Sequence, residues 1–261
     1  MKVEGSGIVV AGGGSGLGLA AAAALRDLGA SVGVIDLHQG GWDGAFAQAD
    51  VADERAVEQA FDALASATGA LRVMLNTTGR QPARGGGTPH VGITAGPGRT
   101  VTAEAFRRAL DVNALGSFIL TRAAAERMIT AEPMDDGERG VIVNTSSIVA
   151  MEGQIGTVAY AASKGAINAM TLPLAREYAC WGVRVMAIAP GIFDTPMFSN
   201  ARGAMVDWLR AQTQFPSRPG EAGEFAAAVR AVIENPMFNG DVIRLDGAMR
   251  VPAGRREWWE G

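Results

Sequence analysis

Cysteine, histidine, lysine and tyrosine are nearly absent from this chain. The single cysteine, Cys180, excludes an intramolecular disulfide and a cysteine-cluster metal site. Its neighbours Ala179 and Trp181 point to a core thiol rather than a reactive one. The two histidines, His38 and His90, lie far apart without ligand spacing, so no histidine-based zinc site is expected. No apolar run is long enough to span a bilayer. The N-terminus has neither the apolar core of a signal peptide nor the Arg/Ser bias of a transit peptide, so the expectation is a cytoplasmic protein. A net charge of −4 and a pI near 5.3 give no reason to expect nucleic acid as a partner. What remains, 48% hydrophobic and 19% charged over 261 residues, is the composition of a soluble globular protein. The length is enough to bury a sizeable core without staples.

The scarcity of lysine draws attention to one place. Apart from Lys2, the only lysine is Lys164, in the run Tyr160-Ala-Ala-Ser-Lys164; every other basic side chain is arginine. If the run is helical, Tyr160 and Lys164 lie on one face. A nearby ammonium favours phenolate over phenol, which would lower the Tyr160 pKa toward working pH. Arginine differs in reach and hydrogen-bond geometry. The plainer reading is a buried tyrosine beside a surface lysine on an alanine-rich helix.

The first half supplies context. Residues 8–11 read as a short buried strand running into Gly12-Gly13-Gly14-Ser15-Gly16-Leu17-Gly18, then an alanine-rich helix to about Leu28 and a second strand at 31–36. This is the unit that binds dinucleotides. Glycines allow close backbone approach to a pyrophosphate, and the helix start offers free N–H groups and a positive dipole end. Asp36, ending the second strand, falls where the adenosine ribose hydroxyls would lie. A carboxylate there accepts hydrogen bonds from both hydroxyls and repels a 2′-phosphate, so NAD is the expected cofactor. His38 reads as a solvated loop residue.

The spacing Gly12-x-x-x-Gly16-x-Gly18, together with Tyr160-x-x-x-Lys164, resembles the short-chain dehydrogenase/reductase family. The resemblance implies one NAD-binding Rossmann domain over 1–261: an α/β fold with a doubly wound parallel sheet of about seven strands flanked by helices. It implies that Asp50 and Val51, ending a third strand, hold the adenine. Asn76-Thr77-Thr78-Gly79 matches the cofactor-side motif, through Asn76, Thr77 and Gly79. Asn113 is implied to hold a water that links Lys164 to solvent. Ser147, thirteen residues before Tyr160, is implied as the catalytic serine, with Ser146 the competing candidate. Pro190, Gly191, Phe193 and Thr195 match the loop over the nicotinamide, and Lys164 should contact its ribose. A homotetramer is implied as well. Ala11 stands where the family usually has threonine, and Thr78 where it usually has alanine. Both departures concern the packing of the cofactor loop rather than proton transfer.

Residues 80–100 show no period and carry Arg80, Arg84 and Arg99. These are candidates to meet a phosphate-bearing substrate tail such as coenzyme A. Residues 101–129 read as one long amphipathic helix. Residues 197–220, with Met197, Phe198, Trp208 and Phe215, read as an apolar lid. Trp258 and Trp259 are too apolar for a free tail.

Several strings are more specific: Glu152-Gly-Gln154-Ile-Gly, Phe215-Pro-Ser-Arg218 and Glu234-Asn-Pro-Met-Phe-Asn-Gly-Asp-Val-Ile-Arg-Leu-Asp-Gly-Ala248. They resemble the type II 3-hydroxyacyl-CoA dehydrogenases, a group that also oxidises hydroxysteroids and serves fatty acid metabolism. Gln154 is then implied as a substrate-side hydrogen-bonding residue, with Ser147 and Tyr160. Three alternatives remain open: a 3-oxoacyl-carrier-protein reductase, against which Asp36 argues; a steroid or other secondary-alcohol dehydrogenase; and a scaffold subunit with little chemistry.

Overall fold

A computed structural model describes residues 1–79, 101–154, 156–195 and 211–253. The expectations for Arg80, Arg84, Arg99, Met197, Phe198, Trp208, Trp258 and Trp259 lie outside the described residues. Seven strands form one parallel sheet: β1 (Gly7–Ala11), β2 (Ser31–Asp36), β3 (Ala45–Gln48), β4 (Leu71–Asn76), β5 (Gly140–Thr145), β6 (Val183–Pro190) and β7 (Val242–Leu245). Their order is β3-β2-β1-β4-β5-β6-β7, the doubly wound arrangement.

Alternation along the strands builds two apolar layers. Ile8 and Val10 point to one face, where α1 (Gly16–Asp27) supplies Ala21 and Leu25 and α6 (Ala222–Glu234) supplies Phe225 and Val229. Val9 and Ala11 point to the other. There α2 (Glu54–Thr68) contributes Phe61, α4 (Gly116–Thr130) contributes Leu120, and α5 (Val158–Ala179) contributes Leu174. Each of the fully buried Val, Leu, Ile and Phe side chains contributes about 1.5–3 kcal/mol through removal from water. Among the described residues no helix is long and apolar enough to cross a membrane.

Three expectations are corrected. The helix expected over 101–129 is α3 (Ala103–Ala109), a π-helical turn over Leu110–Leu115, then α4. The widened turn carries Asn113, whose buried amide donates to Ser163 Oγ at 2.9 Å, while Ser117 Oγ donates to the Asn113 carbonyl at 2.6 Å. Side-chain bonds thus hold a backbone that the 3.6-residue period does not describe. Directly after the turn, Gly116 lies against Val51; a Cβ there would come within 2.8 Å of Val51 Cγ2. The second correction is that β3 stops at Gln48. Asp50 and Val51 follow it in a turn, where Asp50 Oδ1 accepts from Ala52 N–H at 3.0 Å. Third, Cys180 is exposed, because it caps the end of α5 where the chain leaves the core. Of the residues expected in the apolar lid, Phe215 is described and is 84% exposed.

A buried ion pair joins β6, α6 and the segment before β5. Arg184 donates to Glu138 Oε1 at 2.7 Å and to the carbonyls of Val232, Ile233, Asn235 and Phe238. One guanidinium therefore satisfies the carboxyl end of α6 as well as a buried carboxylate. Without Arg184, buried Glu138 keeps only the Met1 ammonium, 3.3 Å from its Oε2, and the last carbonyls of α6 lose their donor. Arg184→Met is expected to lower unfolding stability by about 3–5 kcal/mol, read from the midpoint of urea denaturation. A loss below about 1 kcal/mol would show that the pair contributes little.

Candidate active site

A cleft of about 590 Å³ opens at the carboxyl ends of β1, β4, β5 and β6. Every residue singled out above for cofactor contact lines it except Asn76. Asn76 is fully buried beneath the cleft, with its amide donating to Ser117 Oγ at 2.8 Å and to Asn144 Oδ1 at 3.0 Å. Asn76 therefore supports the strand end rather than facing the cleft. Asn113 is also fully buried, next to Gly79 at the cleft's edge.

At one end of the cleft lies the glycine-rich turn. Gly18 presses on the Gly12 carbonyl so closely that a Cβ would come within 2.1 Å of it, so only glycine lets α1 start here. Ser15 is the N-cap of α1, yet its side chain makes no capping bond, and the first turn carries no acidic residue. The first N–H groups of the helix are left for an anion. Next to this turn, Asp36 Oδ2 accepts from Gly14 N–H at 3.0 Å, while Oδ1 accepts from His38 N–H at 3.4 Å. His38 itself is exposed. A helix start open to a pyrophosphate, with an oriented carboxylate one strand away, fits a dinucleotide.

Both family departures are absorbed locally. Thr77 Oγ1 donates to the Ala11 carbonyl at 2.8 Å and lies 3.1 Å from that of Gly12, so a neighbouring hydroxyl serves where Ala11 has none. Thr78 Oγ1 donates to Asn76 Oδ1 at 2.6 Å, which completes the asparagine's bonding.

At the other end α5 brings Tyr160 and Lys164 against the end of β5. The Ser147 hydroxyl lies beside the Tyr160 phenol, and both line the cleft. Ser147 Oγ also accepts from Val149 N–H at 3.2 Å. Ser146 Oγ is turned to α5, bonding the Lys164 carbonyl and Asn168. The neighbouring serine is thus committed to the helix, and Ser147 faces the phenol. Lys164 is buried and donates to the Thr145 carbonyl at 2.7 Å and to that of Thr78 at 3.4 Å. Gln154 also lines the cleft.

The electrostatics differ from the sequence expectation in one respect. Burial pushes the Tyr160 phenol up from its ordinary value, and the Ser147 bond offsets this only partly. Burial brings Lys164 down to about 8. Its ammonium is turned to two backbone carbonyls, so the protein frame alone does not depress the phenol.

Sequence reasoning missed several cleft residues. Arg108 and Val112, one turn apart, line the cleft, as do Met249 and Val251 from the chain after β7. None sits in a recognisable motif; packing of distant segments brings each there.

The chain belongs to the short chain dehydrogenase family, whose model matches residues 6–205. It is a nicotinamide-nucleotide-dependent oxidoreductase acting on a CH–OH group. It is 43% identical over 259 residues to 3-hydroxyacyl-CoA dehydrogenase type-2 of Homo sapiens, covering 96% of this chain and 97% of that one. It is 34% identical over 258 residues to ipsdienol dehydrogenase of Ips pini, covering 96% of this chain and 99% of that one. A crystal structure of 3-hydroxyacyl-CoA dehydrogenase type-2 from Mycobacterium avium superposes with a TM-score of 0.83 at 32% identity, covering 96% of this chain and 98% of that one.

The buried lysine gives a test of the site's electrostatics. Its folded pKa of about 8 lies below the ordinary 10.5, so between those limits the unfolded chain binds more protons. This group therefore adds stability as pH rises from about 8 to about 10.5, and its burial cost is largest below pH 8. Going from pH 7 to 9.5, the cofactor-free protein should gain about 2 kcal/mol of unfolding free energy relative to Lys164→Met. A difference that stays flat with pH would contradict the buried, charged lysine.

Proposed function

We propose that the protein transfers hydride between NAD(H) and the 3-hydroxy/3-oxo carbon of an acyl-CoA. The observation that carries this is Tyr160, on a helix fixed by Lys164, facing Ser147 just beyond β5, at the opposite end of one cleft from Asp36. The nicotinamide nucleotide supplies or accepts the hydride when bound. The chain's own residues handle the proton. In oxidation Tyr160 acts as the phenolate, its own proton first released, and its Oη takes the proton of the substrate hydroxyl; in reduction the phenol gives its proton to the carbonyl oxygen. Ser147 Oγ donates a hydrogen bond to the same oxygen and stabilises its developing negative charge. Lys164 fixes the helix and, lining the cleft, would hold the nicotinamide ribose of the bound nucleotide. Gln154 is the further substrate-side contact. The names of the human and mycobacterial relatives support the acyl-CoA substrate.

Asp36 supports NAD over NADP. Its carboxylate is held by Gly14 N–H and would oppose a 2′-phosphate. With acetoacetyl-CoA as substrate, kcat/KM is expected to favour NADH over NADPH by about tenfold or more, the factor that ~1.4 kcal/mol represents. Equal turnover with NADPH would defeat this choice of cofactor.

The proton role of Tyr160 is tested separately. Tyr160→Phe should reduce kcat by about 10²–10⁴-fold while leaving the Kd for NADH within about threefold, measured by fluorescence of the bound nucleotide. Substantial residual turnover would remove Tyr160 from the reaction.

A second reading, a secondary-alcohol dehydrogenase acting without coenzyme A, is supported by the Ips pini relative. Reduction of a ketosteroid or simple ketone in preference to acetoacetyl-CoA would favour it. For assembly we infer a homotetramer. Leu115 and Phe118 about the start of α4, and Val158 and Leu172 on α5, are large apolar side chains left exposed in the single chain and support that reading.

A further inference from the structure

The chain after β7 returns across the sheet to the cleft. It opens with a tight turn, Asp246 to Met249, in which Gly247 and Ala248 both have positive φ, 57° and 61°. For alanine that conformation is costly, of order 1–2 kcal/mol. It is held from several sides. Asp246 Oδ1 accepts from Ala248 N–H at 3.1 Å, and the Met249 amide donates to the Asp246 carbonyl at 3.0 Å. Arg244 donates to Asp246 Oδ2 at 2.8 Å and to the Met249 carbonyl at 2.9 Å.

The same arginine reaches Glu152, with Nη1 to Oε1 at 2.8 Å and Nη2 to Oε2 at 3.3 Å. Glu152 lies in the loop that follows Ser147. Its Oε2 accepts from Val251 N–H at 2.8 Å, and Oε1 is 3.4 Å from Arg250 Nε. The result is a latch between the end of the chain and the loop bearing Gln154.

The latch places two apolar side chains. Met249 is almost fully buried and packs with Ile148, next to Ser147, and with Ile192, in the run from Pro190 to Phe193; Val251 packs against this group. Both Met249 and Val251 line the cleft. They stand on the Ser147 side, away from the glycine-rich turn. A carbonyl whose oxygen meets Ser147 and Tyr160 has its apolar remainder beside them.

We propose that residues 246–251 form a specificity-determining wall of the substrate half of the cleft, with Met249 and Val251 contacting the apolar tail of the substrate and Glu152 as the positioning residue that latches them. This rests on the dehydrogenase reading above, but concerns the tail whether or not coenzyme A carries it.

The test uses the full chain with saturating NADH and two series of increasing length: acetoacetyl-, 3-oxohexanoyl- and 3-oxodecanoyl-CoA, and butanone, 2-hexanone and 2-decanone. For a compound that is bound but not reduced, Kd from quenching of bound NADH fluorescence replaces KM. Met249→Ala and Glu152→Gln are each expected to raise KM for the ten-carbon members at least about fivefold, the loss expected from about 1 kcal/mol of apolar contact. KM for the four-carbon members, kcat and the Kd for NADH should stay within about twofold. General loosening of the fold would weaken short substrates and NADH as well, and that result overturns the proposal. An unchanged length profile in both variants, or no length dependence in the unaltered protein, overturns it too. If only the ketones are turned over and they show the expected pattern, the wall stands and the acyl-CoA reading falls.

Discussion

The site depends on one buried ammonium. Lys164 donates to carbonyls at the ends of two adjacent strands, Thr145 of β5 and Thr78 beyond β4. A charge this deep is expensive unless fully bonded. Its burial is compensated only where both strand ends and α5 keep their relative places, so the lysine fixes the helix against the carboxyl edge of the sheet. Ser146 adds to the clamp by bonding the Lys164 carbonyl. With α5 fixed, Tyr160 one turn away faces Ser147. An arginine would present a planar fork of different reach in place of this compact ammonium; apart from Lys2, the other basic side chains of the chain are arginines.

Beneath the clamp runs a buried polar network. Asn76 and Asn144 stand opposite each other in register on β4 and β5, and their side chains are bonded. Asn144 continues to Thr121, and Asn76 to Ser117, whose hydroxyl bonds the carbonyl of Asn113. Asn113 in turn bonds Ser163, which bonds the Tyr160 carbonyl. Sheet, π turn and α5 are thus joined through partners that satisfy one another. Networks of this kind are costly if partly satisfied and specifying if complete. The irregular turn between α3 and α4 is the form the backbone takes to join it.

Much of the fold was legible because it follows from short-range rules. Strands read from short, continuously apolar runs, and α1 from its alanines after a glycine turn. The cleft was legible for a different reason. In a parallel sheet all strand ends of one kind fall on one edge, so residues read separately as strand-end motifs meet in space. Gly12, Asp36, Thr77, Ser147 and Pro190 are examples. Asn76 shows the limit: its motif was visible, but whether it faced the cleft or the core depended on its partner Asn144, sixty-eight residues away.

The sequence by itself determined the parallel α/β architecture, the family, the placement of a dinucleotide site and the alignment of Tyr160 with Lys164, because each is carried by local spacing. Only the tertiary structure decided the π turn at Asn113, the burial that raises Tyr160 while lowering Lys164, and the return of Met249 and Val251 to the cleft. Those depend on which distant groups desolvate or bond a residue, and chain spacing does not encode that. The pairing of Glu152 with Arg244 is the clearest case: neither residue belongs to a motif that points to the other, and they meet because β7 and the loop after β5 end at the same edge of the sheet.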